Sequence, residues 1–396
     1  TFRKKIFDKF ELLSSCLAKE YLEFARQQSY VEANRRLSER SNQLQIEDLN
    51  LTKSDEDLKQ FARHQSLKCL HIKSTSVEHI AHQACLKHAQ SYQLDLPKRF
   101  NDDASYCLNR LVDQLWWSRS IRKLRNRKLS EIERDIGIVS KFKSAYSSKR
   151  STQQRRVNKL KQRSFLENTH IQNHTGEKFS LAELSDKSTS NPEIRRAELM
   201  TRISGFEKVA TVSEHSCYFH TLTTPSRMHR SLSKTNRRNP KFDGTTPREA
   251  QNYLRMVWAR IRAALARSKI SPYGFRISEP HHDGTPHWHF MLFIPKSKAN
   301  EMNSIMRKYA LAEDGDETGA KKFRFKAIEI DMDKGSAAGY IAKYISKSID
   351  GKHIDEDLLG SPANEAAERI EAWSRDHSLR QFQQIGGAPV TVWREL

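Results

Sequence analysis

The chain has 396 residues, enough for two or three domains with their own cores. It carries 69 Lys and Arg against 48 Asp and Glu, which gives a net charge of +21. This charge favours a polyanionic partner, and nucleic acid is a better candidate than an acidic membrane surface. No apolar run approaches the ~18 residues of a membrane span, and the five scattered cysteines form no C-x-x-C pair, which argues against a disulfide framework or a cysteine zinc site.

Residues 1–165 are polar and helix-prone, and one helical run is expected from Tyr106 to Gly137. Between Trp117 and Arg163 stand 16 Lys and Arg against 3 Asp and Glu. A solvated helix face would explain this run, but interleaved aromatic residues favour a DNA-binding surface. Those aromatic residues are Trp116, Trp117, Phe142 and Tyr146, and the basic residues taken as DNA contacts are Arg122, Lys123, Arg125 and Arg127.

Residues 166–205 predict a connector and then a helix with Pro192 in its first turn. Residues 206–396 mix strands and helices without regular βαβ alternation, which predicts an α+β domain on a central, largely antiparallel sheet. A strand over 215–226 precedes a basic, loop-like stretch with four more candidate DNA contacts: Arg227, Arg230, Arg237 and Arg238. Thr246 and Glu249 then form a capping box that begins the next helix.

The stretch "EPHHDGTPHWHFMLFI" (279–294) predicts the turn and second strand of a hairpin. Side chains alternate along a strand, so His287 and His289 share one face, while Trp288 and the apolar residues in step with it share the other. Glu279 ends the preceding strand and can lie across from the two histidines. Two imidazoles and a carboxylate would form a cation site with open positions. The alternative is an exposed pair of histidines near a strand end.

The run "GYIAKYISK" lies in an expected helix over 336–349. Tyr340 and Tyr344 are four residues apart and therefore lie ~6 Å apart on one face. A buried aromatic stripe is the ordinary explanation, but Lys343 and Lys347 flank the tyrosines and resist burial. A tyrosine oxygen can attack phosphorus when a nearby ammonium and a metal-polarised phosphate favour its ionised form. The helix is therefore a candidate source of nucleophiles.

Three motifs in this order, "TLTTPS", "PHWH" and "YIAKYISK", resemble those of the HUH rolling-circle endonucleases. From about residue 180 onward the sequence is closer still to the bacteriophage replication gene A proteins. The resemblance implies an HUH endonuclease domain over 206–396, with the sheet flanked by helices. It implies a nickase that starts and ends rolling-circle replication of phage DNA through a 5′-phosphotyrosine.

The resemblance also assigns roles to residues. It implies that His287 and His289 bind Mg²⁺ or Mn²⁺ and that Tyr340 and Tyr344 are the nucleophiles, with the two lysines beside them. The third metal ligand differs among HUH relatives. Glu279 is expected here, and His282 and Asp283 are the alternatives.

The expected partner is single-stranded DNA at a replication origin, in the cytoplasm of a bacterial host cell and without a membrane. The sequence lacks the G-x-x-x-x-G-K-[ST] loop, so unwinding would need a host helicase. Two other functions stay open: a two-tyrosine HUH transposase, and a non-catalytic, metal-stabilised DNA-binding protein. The opening without Met and the helix-like ending suggest a portion of a longer protein.

Overall fold

The computed structural model describes residues 1–96, 103–331, 335–352, 355–357 and 359–395. The chain divides into two compact units, Thr1–Ile136 and Gly137–Leu396. Each unit has hydrophobic clusters of its own. The functional division expected from the sequence, with boundaries at 165 and 205, stays a prediction.

The first unit is helical, as predicted, apart from one short hairpin in its described residues. Its elements are α1 (Phe2–Lys9), α2 (Ser14–Gln27), α3 (Tyr30–Leu44), β1 (Gln45–Ile46), β2 (Leu49–Asn50), α4 (Asp55–Thr75), α5 (Glu78–Ser91), α6 (Ala104–Leu111) and α7 (Gln114–Asp135). The prediction of a single helix from Tyr106 to Gly137 is wrong, because α6 ends before Val112 and α7 begins at Gln114. The carboxylate of Asp113 accepts a hydrogen bond from the backbone N–H of Leu115 at 2.8 Å and caps α7.

The aromatic residues expected on a DNA-binding surface have mixed positions. Trp117 is fully buried in the first unit, and its indole Nε1 donates to the Leu111 carbonyl at 2.7 Å. In the second unit Tyr146 is buried, whereas Phe142 is 70% exposed. Trp117 and Tyr146 therefore do not lie on a DNA-binding surface as expected, because a large aromatic ring stabilises the fold most when it is buried.

The second unit has a five-stranded sheet, with all pairs antiparallel, and a separate two-stranded hairpin in its described residues. The strands of the unit are β3 (His170–Gln172), β4 (Lys178–Ser180), β5 (His215–Leu222), β6 (Tyr273–Pro280), β7 (Pro286–Pro295), β8 (Phe325–Ile330) and β9 (Phe382–Ile385). Strands β3 and β4 form the hairpin, and the others form the sheet in the order β8-β5-β7-β6-β9. Its helices are α8 (Lys149–Asn168), α9 (Leu181–Asp186), α10 (Pro192–Val212), α11 (Pro247–Arg267), α12 (Ala299–Ala310), α13 (Ala320–Phe323), α14 (Ala337–Ile349), α15 (Ala363–Asp376) and α16 (Val390–Glu395). This confirms the α+β prediction. No helix in the described ranges is long and apolar enough to cross a membrane.

Helices cover both faces of this sheet. On one face, α11 and α12 pack on Trp288, Phe290 and the apolar residues in step with them. The predicted capping box begins α11, since Thr246 Oγ1 accepts from the Glu249 N–H at 3.3 Å and Glu249 Oε2 accepts from the Thr246 N–H at 2.8 Å. On the other face lie α10 and α14. The face that carries His287 and His289 is therefore enclosed as well.

Candidate metal and tyrosine site

The β6–β7 hairpin sets the positions of three polar side chains. Its register pairs Glu279 directly with His287, and His289 lies two residues further along the same face. The connecting turn closes with His281 N–H donating to the Thr285 carbonyl at 2.7 Å. Gly284 in this turn has φ +77°, a conformation that glycine adopts without steric cost. The hairpin thus brings the carboxylate to the histidines, as the sequence predicted.

One potential ligand atom from each of Glu279, His287 and His289 lies within 4.8 Å of the others. The two histidine Nε2 atoms are 2.9 Å apart, and Glu279 Oε2 is 3.9 Å from His289 Nε2. The three residues are 1%, 9% and 8% exposed. Such a buried, convergent set of two nitrogens and a carboxylate fits one divalent cation with positions left for a substrate.

The electrostatics of the histidines agree with this fit. Burial lowers the pKa of His289 to about 4, and burial with the neighbouring His281 and His289 lowers the pKa of His287 well below its usual value. Both imidazoles are therefore neutral at neutral pH, the form that binds metal. Thr221 Oγ1 lies 3.1 Å from His289 Nδ1 and can accept a hydrogen bond from it, which leaves Nε2 unprotonated on the side of Glu279 and His287.

The alternative third ligands are placed differently. Asp283 is fully buried, and its carboxylate accepts from the backbone N–H of Arg230 at 2.8 Å and of Thr285 at 3.0 Å. It therefore holds the hairpin turn against the basic loop. His282 is half-buried, and neither residue joins the group of potential ligand atoms found among the described residues. The geometry favours Glu279.

Helix α14 presents the two tyrosines to this group. Its Ile341 and Ile345 are buried in the core, while Tyr340 and Tyr344 are half-buried on the adjoining face. The tyrosine ring centroids are 6.4 Å apart. The Tyr344 ring lies 4.7 Å from that of His289, and both tyrosine rings lie 4.9 Å from Phe219. The helix period thus places the Tyr344 ring against a candidate metal ligand and the Tyr340 ring next to Tyr344.

The two lysines of α14 occupy different environments. Lys343 is exposed, and its Nζ lies 4.9 Å and 5.1 Å from the ring centroids of Tyr340 and Tyr344. Lys347 is buried, and its Nζ lies 3.3 Å from Glu279 Oε2. A buried carboxylate requires a cationic partner, and Lys347 supplies it. The expected role of Lys347 beside a tyrosine stays a prediction.

The basic loop after β5 has only part of its arginines exposed. Arg227 pairs with Asp243 at 2.6 Å and with Asp314 at 2.9 Å, and Arg230 is buried. Arg237 and Arg238 are exposed. Arg237 and Arg238 are therefore the most accessible of the four candidate DNA contacts in this loop.

The candidate DNA contacts on α7 likewise include both exposed and buried residues. Arg122 and Lys123 are exposed, Arg127 is half-buried, and Arg125 is buried against Asp55, with which it forms an ion pair. The structural reason is the helix period: Arg125 lies next to the buried Leu124 and faces α4, whereas Arg122 and Lys123 point to solvent.

The sequence did not predict that three further residues lie at this site: Thr221, Ser348 and Tyr146, of which Tyr146 was expected on a DNA-binding surface. Ser348 Oγ donates to Glu279 Oε1 at 3.2 Å. The Tyr146 ring lies 5.3 Å from Lys347 Nζ, and its hydroxyl donates to Asp357 Oδ2 at 2.7 Å. Tyr146 has φ +73°, which is rare for a bulky residue. Thr221 could have been found from its motif, but nothing local to Tyr146 signals its position.

A sequence-family model described as bacteriophage replication gene A protein (GPA) matches residues 39–352. The chain belongs to this family. The match confirms the resemblance to the bacteriophage replication gene A proteins and extends it toward the N-terminus, well before residue 180. No solved structure matches the chain.

Curated relatives agree with the family. The chain is 42% identical over 301 residues to the replication gene A protein of Escherichia phage 186, covering 74% of this chain and 43% of that protein. It is 39% identical over 299 residues to the replication gene A protein of Escherichia phage P2, covering 72% and 39%. It is 34% identical over 293 residues to a Salmonella typhimurium protein named probable replication endonuclease from prophage-like region, covering 73% and 36%. The chain thus spans less than half the length of these relatives.

Proposed function

We propose that this chain nicks and rejoins single-stranded DNA at a phage replication origin, with tyrosine as the nucleophile and a divalent metal at Glu279, His287 and His289. The observation that carries the proposal is that Tyr340 and Tyr344 lie on one helix face beside this buried ligand group. The names of the relatives, which include a replication endonuclease, support it. Origin specificity, the bacterial cytoplasm and a host helicase as partner belong to the same proposal.

In the proposed reaction a tyrosine oxygen attacks the phosphorus of a phosphodiester. A tyrosine–phosphorus bond forms, the bond from phosphorus to the 3′ oxygen breaks, and that oxygen leaves with a proton as a 3′ hydroxyl. Attack by a 3′ hydroxyl on the phosphotyrosine reverses the step and joins the strand. Mg²⁺ or Mn²⁺, when bound, supplies Lewis-acid polarisation of the scissile phosphate.

The residues of α14 prepare the nucleophile. Burial raises the pKa of Tyr344, and nearby Tyr340 and Glu279 raise it further. Its hydroxyl therefore needs help to lose its proton. The Lys343 ammonium lies close to both rings and stabilises negative charge that develops on either oxygen.

The test is a covalent protein–DNA adduct on a denaturing gel after incubation with single-stranded origin DNA and Mg²⁺. Tyr340→Phe and Tyr344→Phe each remove one hydroxyl, and the double variant should form no adduct. The single variants should differ, one losing the first cleavage and the other losing the second transfer. Tyr309→Phe on α12, outside the site, is the matched control and should cleave normally.

The same experiment separates the other functions. An adduct in the double variant would place the nucleophile elsewhere. DNA binding that needs metal but never yields an adduct with the wild-type chain would favour the non-catalytic DNA-binding protein. Adducts with transposon ends but not with phage origin DNA would favour the two-tyrosine transposase.

A further inference from the structure

A cavity lies on the face of the sheet opposite to the metal and tyrosine site, beside α11 and the β6–β9 edge. Its volume is about 840 Å³, and no carboxylate is among its lining residues. Five arginines line it: Arg248, Arg255, Arg262, Arg276 and Arg380. The cavity therefore gathers positive charge at a place that the metal and tyrosine chemistry does not use.

The sequence builds this cavity from two patterns. Arg248, Arg255 and Arg262 recur every seven residues on α11, so they form one stripe with a rise of ~10.5 Å between neighbours. On β6, Arg276 alternates with Ile277 and Glu279 and so projects away from the metal ligands. Arg380 precedes β9, which pairs with β6. The arginines thus converge from a helix and from the sheet edge.

Arg276 is the most informative of these residues. It is 3% exposed, its guanidinium lies 4.0 Å from the Trp288 ring centroid, and its Nη2 donates to the Arg380 carbonyl at 3.2 Å. Its Nε is buried without a hydrogen-bond partner. Burial lowers the pKa of Arg276 to about 9, helped by Arg380 and Arg255, so the group is still charged at neutral pH. A buried cation without a counter-ion is costly, and an anion would offset that cost.

The exposed arginines of the cavity also lack acidic partners. None of the five forms an ion pair with a carboxylate in the described part of the chain. On the same helix but outside the cavity, Arg260 Nη1 lies 3.5 Å from Glu313 Oε1, and Arg267 Nη2 donates to the Tyr309 hydroxyl at 3.4 Å. The absence of partners is therefore a property of the cavity and not of α11.

We propose that this cavity binds consecutive phosphates of a segment of single-stranded DNA. This segment is separate from the stretch that is cut at the metal and tyrosine site. Guanidinium groups bind phosphate oxygens in pairs, and five of them exceed what one phosphate neutralises. Trp258 and Trp288 are buried, and Arg276 already covers the Trp288 ring, so the cavity offers no free aromatic face for a base. The cavity would therefore recognise the sugar–phosphate backbone of the DNA. The preference for phosphate does not depend on the proposed function, whereas DNA as the source of the phosphates rests on it.

The test compares two double variants of α11 in the full chain. Arg255→Gln with Arg262→Gln removes two exposed cavity arginines, and Arg260→Gln with Arg267→Gln removes the same charge outside it. Binding of a fluorescent single-stranded oligonucleotide is measured against salt concentration. The cavity variant should flatten the slope of log K against log salt by ~1.4, from two contacts of ~0.7 each. The control variant should keep the wild-type slope, and its adduct formation at saturating DNA should be unchanged.

Other results would overturn the proposal. Equal slopes for the two double variants would show that the cavity contributes no more than any surface charge. Inorganic tripolyphosphate is the second probe: if it binds in a manner that needs Arg255 and Arg262 while the oligonucleotide slope does not, the ligand is a free polyphosphate and the DNA assignment is wrong. A wild-type chain that never forms an adduct, yet shows the slope difference, would sink the proposed cleavage and leave the cavity assignment standing.

Discussion

The Glu279 carboxylate lies between the ammonium group of Lys347 and two neutral histidines, His287 and His289. Lys347 and Ser348 approach its two oxygens from α14, and His289 faces it across the hairpin. A metal bound to Glu279 would share this carboxylate with Lys347. The lysine thus serves as the counter-ion of a buried charge when no metal is bound. Metal binding at Glu279 would therefore be linked to the stability of the fold.

This linkage predicts the behaviour of Lys347→Met. The metal-free chain should lose about 3–5 kcal/mol of unfolding free energy, because Glu279 is left buried without a cation. Mn²⁺ should raise the melting temperature of this variant more than that of the wild type, since the metal restores the missing charge. Thermal unfolding in EDTA and in Mn²⁺ measures both effects. Lys343→Met, at an exposed position on the same helix, is the control, and an equal response of the two variants would contradict the prediction.

The histidines lead to a separate prediction. His287→Ala or His289→Ala should abolish both adduct formation and Mn²⁺ binding, because each removes a nitrogen from the ligand group. A denaturing gel measures the adduct, and calorimetry measures Mn²⁺ binding. Most DNA affinity should remain, since it comes chiefly from lysine and arginine contacts to phosphates. EDTA should have the same effect on the wild-type chain. His174→Ala, at an exposed position, should change neither quantity, and full cleavage in EDTA would remove the metal from the mechanism.

At the scale of elements, strand and helix periods predicted most of the candidate site. Alternation along β7 separated His287 and His289 from the apolar face, and the helix period put Tyr340 and Tyr344 on one side of α14. Boundaries were less predictable. Strand β8 begins only at Phe325, because the residues before it form α13. A short helix and a strand end compete for the same basic and aromatic residues, and tertiary packing decides between them.

Helix α7 gives a prediction that separates charge from burial. Arg122→Gln with Lys123→Gln should flatten the slope of log K against log salt by ~1.4, because both side chains are exposed. Arg125→Gln should leave the slope unchanged and instead cost about 2 kcal/mol of unfolding free energy, since it breaks a partly buried pair with Asp55. Salt titrations and chemical unfolding measure the two effects. A large slope change for Arg125→Gln would mean that this arginine leaves its partner to bind DNA.

At the scale of the whole molecule, contacts between segments far apart in the chain could not be predicted from the sequence. Tyr146 reaches Lys347 across some two hundred residues, and Arg276 lies near Arg380 only because β9 pairs with β6. The order of strands in a sheet is a property of the complete fold, whereas a period is read from ten or fifteen residues. The sequence therefore predicted the candidate metal ligands, which lie on one hairpin. It missed the arginine cavity, whose five arginines lie on α11, on β6 and in the segment before β9.

The division into two units leads to the last prediction. All candidate catalytic residues lie in Gly137–Leu396, which has its own hydrophobic clusters and the complete sheet. Residues 137–396 expressed alone should therefore fold and form the covalent adduct with origin DNA. They should bind DNA with a shallower salt dependence than the full chain, because Arg122 and Lys123 are missing.

The same fragment with Tyr340→Phe and Tyr344→Phe is its control. Circular dichroism first establishes that both fragments are folded. A folded wild-type fragment that yields no adduct, while the full chain does, would show that Thr1–Ile136 takes part in cleavage itself. An unchanged salt slope would instead show that the first unit adds no phosphate contacts, and its basic residues would then be a solvated helix face.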